Sequence, residues 1–338
     1  MSAFTQRFMI AATTVAIAGA VVAAAPVLVR LSTVAPAGTT WDAALKQMGA
    51  DWSKATEGRV TLRVTGGGAQ GSEKTVLRNM RPEVNTVDAS FLTSTGMADI
   101  DPAFNVFAIP FFFQSDAEEQ FVRGKLEPLL AQKLEAKKFH LVAWGHGGWV
   151  QLFSTVPVKT VADLKKVKLF TSAGSTDMVQ WYTSHGFNPV PLESTAIGTS
   201  LATGIIQATP MPPYGAVAMQ ISRTVKFMLD LNVDPLIGAV IMTDTMWNKI
   251  APDDRTKIIA AARTMEKTLQ TEVPKQDATS VTAMQTKGLT VTKLDAAGLA
   301  AFRGEADKLA ASMRGKMVPA DVYDLALQAR DEFRKTRR

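Results

Sequence analysis

The chain has 338 residues, of which 46% are apolar and 20% are charged, a balance typical of a folded globular protein. It contains no cysteine, which excludes disulfides, a thiolate nucleophile, zinc–thiolate sites and anchoring through a lipidated N-terminal cysteine. The net charge is +6, and basic residues crowd the end of the chain over Arg330–Arg338. Such a tail can indicate nucleic acid or an anionic membrane. Without interleaved aromatic residues it is more typical of a solvated helix end, so no nucleic-acid partner is expected.

Residues 1–25 have the pattern of an export signal peptide. Met1–Arg7 is short and weakly basic, Phe8–Val22 is apolar, and Ala23–Ala25 supplies the small residues of a cleavage site. Because Pro26 is unfavourable directly after the cut, we expect cleavage after Ala23 or Ala24. An uncleaved anchor is the alternative, although the apolar stretch is short for a membrane span. We therefore expect a periplasmic protein, with roughly 310 residues left to form two domains.

The remaining sequence alternates strand-like and helix-like segments. Strands are expected at 27–34, 60–64, 87–93, 139–144 and 236–242, where apolar residues run continuously or alternate. Helices are expected from an N-cap at Thr40, over 73–80, from the capping box Ser115-x-x-Glu118 to Lys137, and over 177–185. This alternation predicts an α/β architecture with mainly parallel sheets.

The glycine-rich segment Gly145–Gly148 predicts a flexible break suited to a hinge. A second α/β unit follows up to Asn232, and the strand at 236–242 is expected to return to the first unit. Residues 252–287 predict a long helix that Pro274 should kink or break. Its apolar positions are more typical of a cover over both units than of a dimer seam. The predicted division is a first domain of 26–146 and 233–262, and a second domain of 147–232 and 263–338 that includes the C-terminal helices.

Motifs for catalysis, metal binding or cofactor binding are weak. The run Gly66–Gly71 lacks the ending of a phosphate-binding loop. The three histidines, His140, His146 and His185, have no ligand-like spacing, although His146 lies in the glycine-rich segment and has some claim to line a cleft. The carboxylates are scattered, as at Asp42, Glu73 and Glu193, and no G-x-S-x-G elbow is present. We therefore expect neither an enzyme nor a bound metal or cofactor.

Aromatic and methionine residues are more informative. Phe111–Phe113 follow a proline, and three consecutive rings are not expected to enter one core. Trp149 follows paired glycines, and Thr209–Tyr214 is a rigid, proline-rich segment. Each feature alone is more typical of a core or an interface. Together they predict an apolar cleft between two domains.

Taken in order, several segments resemble the DctP-type extracytoplasmic solute receptors of tripartite ATP-independent periplasmic (TRAP) transporters. The matching segments are Leu31–Pro36 with Trp41–Leu45, Gly66–Gly68 with Ser72-Glu73, Val87–Ala89, Ile109–Phe113, Val161–Lys165, Gly186–Leu192, Leu201–Ile206 and Trp247–Pro252. The resemblance implies a periplasmic solute-binding protein fold, with two α/β domains joined by hinge strands and a long helix crossing both. It also implies closure around one small-molecule ligand, delivery to integral membrane permease subunits, and no chemistry.

The chain departs from this family pattern where the family holds its ligand. Phe170 stands where the family has an arginine that clamps a substrate carboxylate, and a phenyl ring has no donor to replace it. Met211 and Pro212 fall within a segment where the family usually reads Asp-Gly-Gln-Glu-Asn-Pro. Val150 follows Trp149 where many members have an arginine.

These departures favour a ligand that is more hydrophobic than a simple carboxylic acid, such as an acyl chain, an aromatic or a terpenoid-like molecule. A buried carboxylate without a partner is costly, whereas burial of apolar area is favourable. The alternative is an organic acid that His146, Lys168 or Arg223 meets from another angle. The candidate ligand-binding residues include Glu73 and Thr93, which match family positions; the full set is Trp41, Glu73, Thr93, Phe112, Phe113, His146, Trp149, Phe170, Met211, Pro212 and Tyr214.

Three binding functions fit this sequence equally well. The chain can serve as a TRAP-type receptor, as a hydrophobic-ligand carrier for a different envelope partner, or as a sensory receptor for a membrane kinase. Each needs only a closed two-domain surface, so the sequence does not separate them. An enzyme on the same scaffold is disfavoured because no nucleophile, metal site or acid/base pair is visible.

Overall fold

The computed structural model describes residues 25–336. The expected signal peptide, apart from Ala25, lies outside the described residues, as do Arg337 and Arg338. Within the described range, none of the helices is both long enough and apolar enough to cross a membrane.

The described part of the chain contains eleven strands, which form two sheets. In chain order they are β1 Val27–Thr33, β2 Val60–Thr65, β3 Ala89–Thr93, β4 Phe139–Trp149, β5 Gln151–Ser154, β6 Lys168–Ser172, β7 Asn188–Leu192, β8 Ala208–Met211, β9 Phe227–Asp230, β10 Pro235–Thr243 and β11 Thr290–Lys293. The first sheet has the order β2-β1-β3-β10-β4, and the second has the order β11-β9-β5-β8-β6-β7.

The same range contains twelve α-helices. They are α1 Thr40–Ala55, α2 Glu73–Asn79, α3 Ser94–Ala98, α4 Asp116–Ala136, α5 Val161–Lys166, α6 Thr176–Ser184, α7 Ile197–Ala202, α8 Pro213–Ala218, α9 Asp244–Trp247, α10 Pro252–Thr286, α11 Ala296–Met313 and α12 Ala320–Lys335. Short 3-10 helices lie at Pro102–Ala108, Ser194–Ala196 and Ile221–Arg223.

Both sheets are mixed, more so than the expected mainly parallel arrangement. In the first sheet β1 is parallel to β2 and β3, whereas β10 runs antiparallel between β3 and β4. In the second sheet β6 is parallel to β7 and β8, and β5 is antiparallel to β8 and β9. The strand expected to return to the first unit is β10, and it does so.

Two apolar cores cover the first sheet. One contains Trp52 and the buried face of α1 together with α10, and the other contains Phe104, Phe107 and the buried face of α4. The second sheet is also covered on both faces, by one cluster around Phe153 and α7, and by another around Leu169 and Phe302 of α11. Each sheet therefore has its own buried apolar area, which is the dominant source of its stability.

Two short crossings connect the sheets and lie side by side. Val150, between β4 and β5, donates its N–H to the carbonyl of Asp234 at 2.9 Å, and Val233 donates to the carbonyl of Val150 at 3.0 Å. The glycine-rich segment before the first crossing is not a separate break, since β4 continues through it to Trp149. Pairing with β10 holds Gly145, His146 and Trp149 in the strand, with a register irregularity between Pro235 and Ile237, and Gly148 has a positive φ of +100°.

The long helix α10 runs unbroken through Pro274, so the break expected there is absent, and the expected kink stays a prediction. Proline removes only one hydrogen bond, and burial of Ile258, Met265 and Leu269 against the first sheet holds the helix in place. Further along, Met284 packs into the Phe153 cluster of the second sheet. The helix thus spans both sheets.

The C-terminal helix α12 packs mainly against α4 and not beside the second sheet. Val322, Ala326 and Ala329 are buried in the same cluster as α4, and Arg334 pairs with buried Glu118 at 2.6 Å. The basic tail is therefore docked at Arg334, where a solvated end was expected. The domain division expected from the sequence stays a prediction, and this packing places α12 with the first sheet.

The sequence signals for helix starts agree largely with the structure. The cap of α1 is Thr39 and not Thr40, because the Thr39 hydroxyl accepts the N–H of Asp42. Ser115 caps α4 as expected, accepting the N–H of Glu118 at 3.2 Å. The carboxylate of Glu118 turns instead to the N–H of Gln114 and to α12, so the reciprocal half of the expected capping box is not formed.

Candidate functional site

The candidate site lies between loops that follow the carboxyl ends of parallel strands, where open α/β sheets hold their ligands. From the first sheet come the loops after β1 and β2 and the end of β3. From the second sheet come the turns after β6 and β7. A Cβ built on Gly68 would lie 3.2 Å from the methyl of Thr195, and one on Gly174 would lie 2.7 Å from Oδ1 of Asp99. These two approaches join the sheets across a space that we call the intersheet cleft.

Glu73 and Thr93 meet on the first-sheet side of the cleft. Oε1 of Glu73 accepts the N–H of Thr93 at 2.6 Å, and Oε2 accepts the Thr93 hydroxyl at 2.8 Å. Thr93 in turn caps α3 by accepting the N–H of Gly96. Gly96 has no room for a side chain, since a Cβ there would lie 2.5 Å from Oε2 of Glu73. The carboxylate is therefore held in one place by α2, β3 and α3.

Two further carboxylates face Glu73. Burial raises the pKa of Glu73 to about 7; the hydrogen bonds from Thr93 oppose this shift, and the negative charges of Asp99 and Glu193 add to it. Burial also raises the pKa of Asp99, with Lys74 acting in the opposite direction. Asp99 follows α3, whereas Glu193 follows β7 of the second sheet. The three acidic groups thus come from both sides of the cleft.

Trp41 and Tyr214 join α1 to α8. Their ring centroids are 4.6 Å apart, and the Tyr214 hydroxyl accepts the N–H of Thr40 at 2.8 Å. The indole N–H of Trp41 donates to the carbonyl of His146 at 3.2 Å. The two predicted site residues therefore contact each other, and they link the second sheet's α8 to the first sheet.

Gly148, in β4 just before the crossing, is enclosed by α10 and the loop before α8. Its φ is +100°, and a Cβ there would lie 2.2 Å from Oδ2 of Asp277 and 3.0 Å from Cβ of Pro212. Asp277 accepts the N–H of Tyr214 at 2.8 Å. Burial raises the pKa of Asp277 to about 6, against the effect of the N–H groups of Tyr214 and Trp149. Pro212 is a buried part of this enclosure.

His146 and Trp149 direct their side chains toward the start of α4. The indole N–H of Trp149 donates to Asp116 at 2.8 Å, and Nε2 of His146 lies 3.7 Å from the same carboxylate. Nε2 of His146 is buried without a hydrogen bond among the described residues. Burial lowers the pKa of His146, and nearby Arg123 lowers it further while Asp116 raises it. His146 is therefore neutral at neutral pH.

Four predicted ligand-binding residues are packed into apolar cores. Phe112 and Phe113 are buried in the cluster that contains α4, with their ring centroids 5.0 Å apart. The three consecutive rings do not all enter one core, as expected: two share this cluster, and Phe111, whose φ is positive (+55°), packs against another cluster. Phe170 and Met211 belong to the Phe153 cluster beside the second sheet, with Met211 buried and Phe170 half-buried.

Two cavities of the described chain lie away from the intersheet cleft. One, of about 400 Å³, lies between α10 and the second sheet and is lined by Trp149, Asp277 and Asp230 among others. A neighbouring one of about 290 Å³ includes Phe111 and Arg303. Neither brings together loops from both sheets, and neither reaches Glu73. We therefore place the candidate site in the cleft, where strand ends converge.

The sequence did not identify Asp99 and Thr195 as cleft residues, and it assigned no role in the cleft to Glu193. Glu193 and Glu73 are 120 positions apart, so no spacing rule relates them. Among residues 25–336, no group of three or more histidine, cysteine, aspartate or glutamate side chains is arranged to hold a metal ion. The cleft therefore presents fixed hydrogen-bond acceptors between two surfaces that contact each other.

Comparison with known proteins gives consistent matches. The family model described as bacterial extracellular solute-binding protein, family 7 (DctP) matches residues 31–316. The 2,3-diketo-L-gulonate-binding periplasmic protein YiaO of Escherichia coli K12 is 24% identical over 212 residues, which cover 62% of this chain and 63% of that protein.

Solved structures share the fold at low sequence identity. The sugar acid binding protein DctPAm of Advenella mimigardefordensis, in complex with galactonate, superposes with a TM-score of 0.85 at 15% identity, covering 92% of this chain and 99% of that one. A TRAP periplasmic solute-binding protein of Xanthobacter autotrophicus Py2, with bound β-D-galacturonate, gives a TM-score of 0.81 at 18% identity, covering 90% and 99%. The two-sheet α/β fold expected from the sequence is thereby confirmed.

Proposed function

The chain belongs to the DctP family of bacterial extracellular solute-binding proteins, and we propose that it is the periplasmic receptor of a TRAP-type transport system. It binds one small organic molecule in the intersheet cleft and delivers it to integral membrane permease subunits. The observation that carries this proposal is the family match over residues 31–316. Export through the N-terminal segment at 1–25 is part of the proposal.

The geometry supports a cycle of opening and closing. The crossings at Val150 and Val233–Asp234 are short and mutually hydrogen-bonded, so rotation of one sheet against the other is confined to a narrow strip. The approaches of Gly68 to Thr195 and of Asp99 to Gly174 bring loops of the two sheets together. A ligand that touches both sides in this arrangement shifts the population toward the closed state.

The ligand is hydrophilic in this proposal. The apolar ligand expected from Phe170 and Met211 has little support, because both side chains pack into the core beside the second sheet. The similar structures of A. mimigardefordensis and X. autotrophicus hold galactonate and galacturonate. In this chain the fixed acceptor is Glu73, whose carboxylate is held by two hydrogen bonds from Thr93. Hydroxyl or N–H donors of a small polar molecule match it.

An organic acid met by a basic group from another angle is also weakly supported. Lys168 donates to the carbonyl of Gly204 at an exposed position, and Arg223 is exposed at a short 3-10 helix. His146 is neutral and turned toward α4. None of the three reaches the Glu73 side of the cleft.

The proposal is tested by thermal unfolding of the mature protein against a panel of small polar solutes. A specific ligand at about 100 times its Kd stabilises the folded state by about 2.7 kcal/mol. We expect at least one solute to do so in the wild type and to lose most of this effect in Glu73→Gln. Glu83→Gln, the same change at an exposed position after α2, serves as the control and should leave binding intact. Equal binding by both variants would place the ligand elsewhere.

A further inference from the structure

The loop Ile109–Phe113, which we call the phenylalanine loop, has a backbone conformation that its sequence does not favour. Phe112 donates its N–H to the carbonyl of Ile109 at 3.3 Å, which closes a turn with Pro110 and Phe111 at its centre. The φ of Phe111 is +55°. A turn with proline second and positive φ third normally has glycine in the third position, because a side chain there is strained. Phe111 therefore occupies a position at which a large side chain is costly.

Contacts with three parts of the molecule hold the phenylalanine loop in place. Phe112 and Phe113 are buried in the cluster that contains α4, on the first-sheet side. The N–H of Phe111 donates to the carbonyl of Val233, in the second crossing, at 2.6 Å. The ring of Phe111 packs against the cluster beside the second sheet that contains Leu169. Adjacent residues of one short loop are thus attached to both sheets and to a crossing between them.

The ring of Phe111 is held less completely than its neighbours. It is half-buried, whereas the rings of Phe112 and Phe113 are buried. The guanidinium of Arg303, on α11, lies 5.9 Å from the centroid of the Phe111 ring, within the range of a cation–π interaction. A cavity of about 290 Å³ adjoins Phe111, Leu299 and Arg303, so the ring has open space on one side. Withdrawal of this ring therefore does not require disruption of the core around α4.

These features connect the strained turn with movement of the two sheets. Strained residues persist where the surrounding contacts over-determine them, and they are frequent at switch regions. The contacts that oppose the strain at Phe111 come from the crossing and from the second-sheet side. When the sheets rotate apart about the crossings, the ring loses its partners on the second-sheet side and the turn is free to relax.

We propose that Phe111 is a latch between the two sheets: its ring, seated against the second-sheet cluster and Arg303, stabilises the closed arrangement, and its strained backbone favours release when the sheets separate. The inference rests on the opening and closing that the proposed function requires, and it adds the residue that biases the balance between them. It does not depend on which molecule the cleft binds.

The test measures the separation of the two sheets in the mature protein after small molecules are removed by dialysis. The chain has no cysteine, so Arg78→Cys on α2 and Thr199→Cys on α7, both at exposed positions, give two unique sites for spin labels. The segment before α2 approaches Thr195, just before α7, across the cleft. Pulsed electron paramagnetic resonance gives the populations of short and long distances between the labels. We expect the wild type to populate the short distance.

Variants of Phe111 separate the ring from the strain. Phe111→Ala removes the ring but keeps a side chain at positive φ, so the ratio of closed to open molecules should fall about tenfold. Phe111→Gly removes the ring and the strain together, and should lower this ratio less than alanine does. The matched control is Phe121→Ala, on α4, whose half-buried ring contacts Phe333 of α12 and the ammonium of Lys125 on the first-sheet side. The control should leave the ratio unchanged.

A purely structural role of Phe111 predicts a different result. Both variants would then lower the urea midpoint of unfolding and leave the distance distribution of the wild type unchanged, and that outcome would overturn the inference. A wild type that shows no short distance without ligand would overturn it as well. Because no ligand enters the measurement, neither result would contradict the receptor function, which solute binding tests separately.

Discussion

Gly148→Ala is expected to destabilise the protein strongly, because Gly148 combines two constraints. Its φ of +100° lies in the left-handed region, which costs a non-glycine residue about 1–2 kcal/mol. In addition, the new methyl would fall 2.2 Å from Oδ2 of Asp277 and 3.0 Å from Cβ of the rigid Pro212 ring. If Asp277 moves aside, it gives up the N–H of Tyr214, and a hydrogen bond to a charged group is worth about 1.5–3 kcal/mol. The expected loss in free energy of unfolding is about 3 kcal/mol or more.

Urea unfolding followed by circular dichroism measures this loss. The matched control is Gly124→Ala, on the exposed face of α4, where a Cβ would meet nothing within 4 Å. That change should raise the free energy of unfolding by about 0.5–1 kcal/mol, because alanine is the better helix former. A Gly148→Ala protein within about 0.5 kcal/mol of the wild type would refute the reasoning, since surface changes without structural consequence fall in that range.

Three other changes have defined outcomes. Tyr214→Phe should lower the free energy of unfolding by about 1 kcal/mol in urea titrations, because the N–H of Thr40 loses its acceptor; an unchanged value would mean that the hydroxyl contact is not formed in solution. Phe170→Ala should lower the free energy of unfolding by about 2 kcal/mol, because the half-buried ring packs in the second-sheet core. Ligand affinity should stay nearly unchanged. A large loss of affinity at normal stability would instead make the ring a ligand contact. Burial raises the pKa of both Asp234 and Glu119 to about 7 in the folded protein, above the pKa that these carboxyls have in the unfolded chain. Their contribution to the free energy of unfolding is therefore full below about pH 4.5 and is lost as pH rises through 7. Urea midpoints should therefore be higher at pH 5.5 than at pH 8, and Asp234→Asn should reduce the difference; a midpoint that rises with pH over this range, or an undiminished difference in the variant, would contradict this.

Local signals in the sequence predicted the elements well, because capping and periodicity act over a few residues. Ser115 caps α4 through its own hydroxyl, and the buried positions of α10 follow its 3.6-residue period. The same local reasoning did not predict that Gly145–Gly148 belongs to a strand, because pairing of β4 with β10 involves residues about 90 positions away; the expected hinge stays a prediction. It also missed the fate of Glu118, which is set by Arg334 more than 200 positions away.

The candidate site was harder to predict because distant segments build it. Glu73 and Thr93 were identified through the family resemblance, and their contact depends on how α2 lies beside β3. Phe112 was predicted as a cleft residue because aromatic rings in a loop often line clefts, and Phe170 because it stands where the related family has an arginine. In the structure Phe112 is buried against α4 and Phe170 is half-buried against the second-sheet core, and neither contact leaves a trace in local sequence.

The receptor function is tested most directly by identifying the small molecules released when freshly purified mature protein is denatured, using mass spectrometry. We expect one small, polar molecule in the wild type, retained by Glu83→Gln and lost from Glu73→Gln. Release of a lipid-like molecule, or of the same molecule in equal amount from Glu73→Gln, would contradict binding of a hydrophilic ligand in the intersheet cleft.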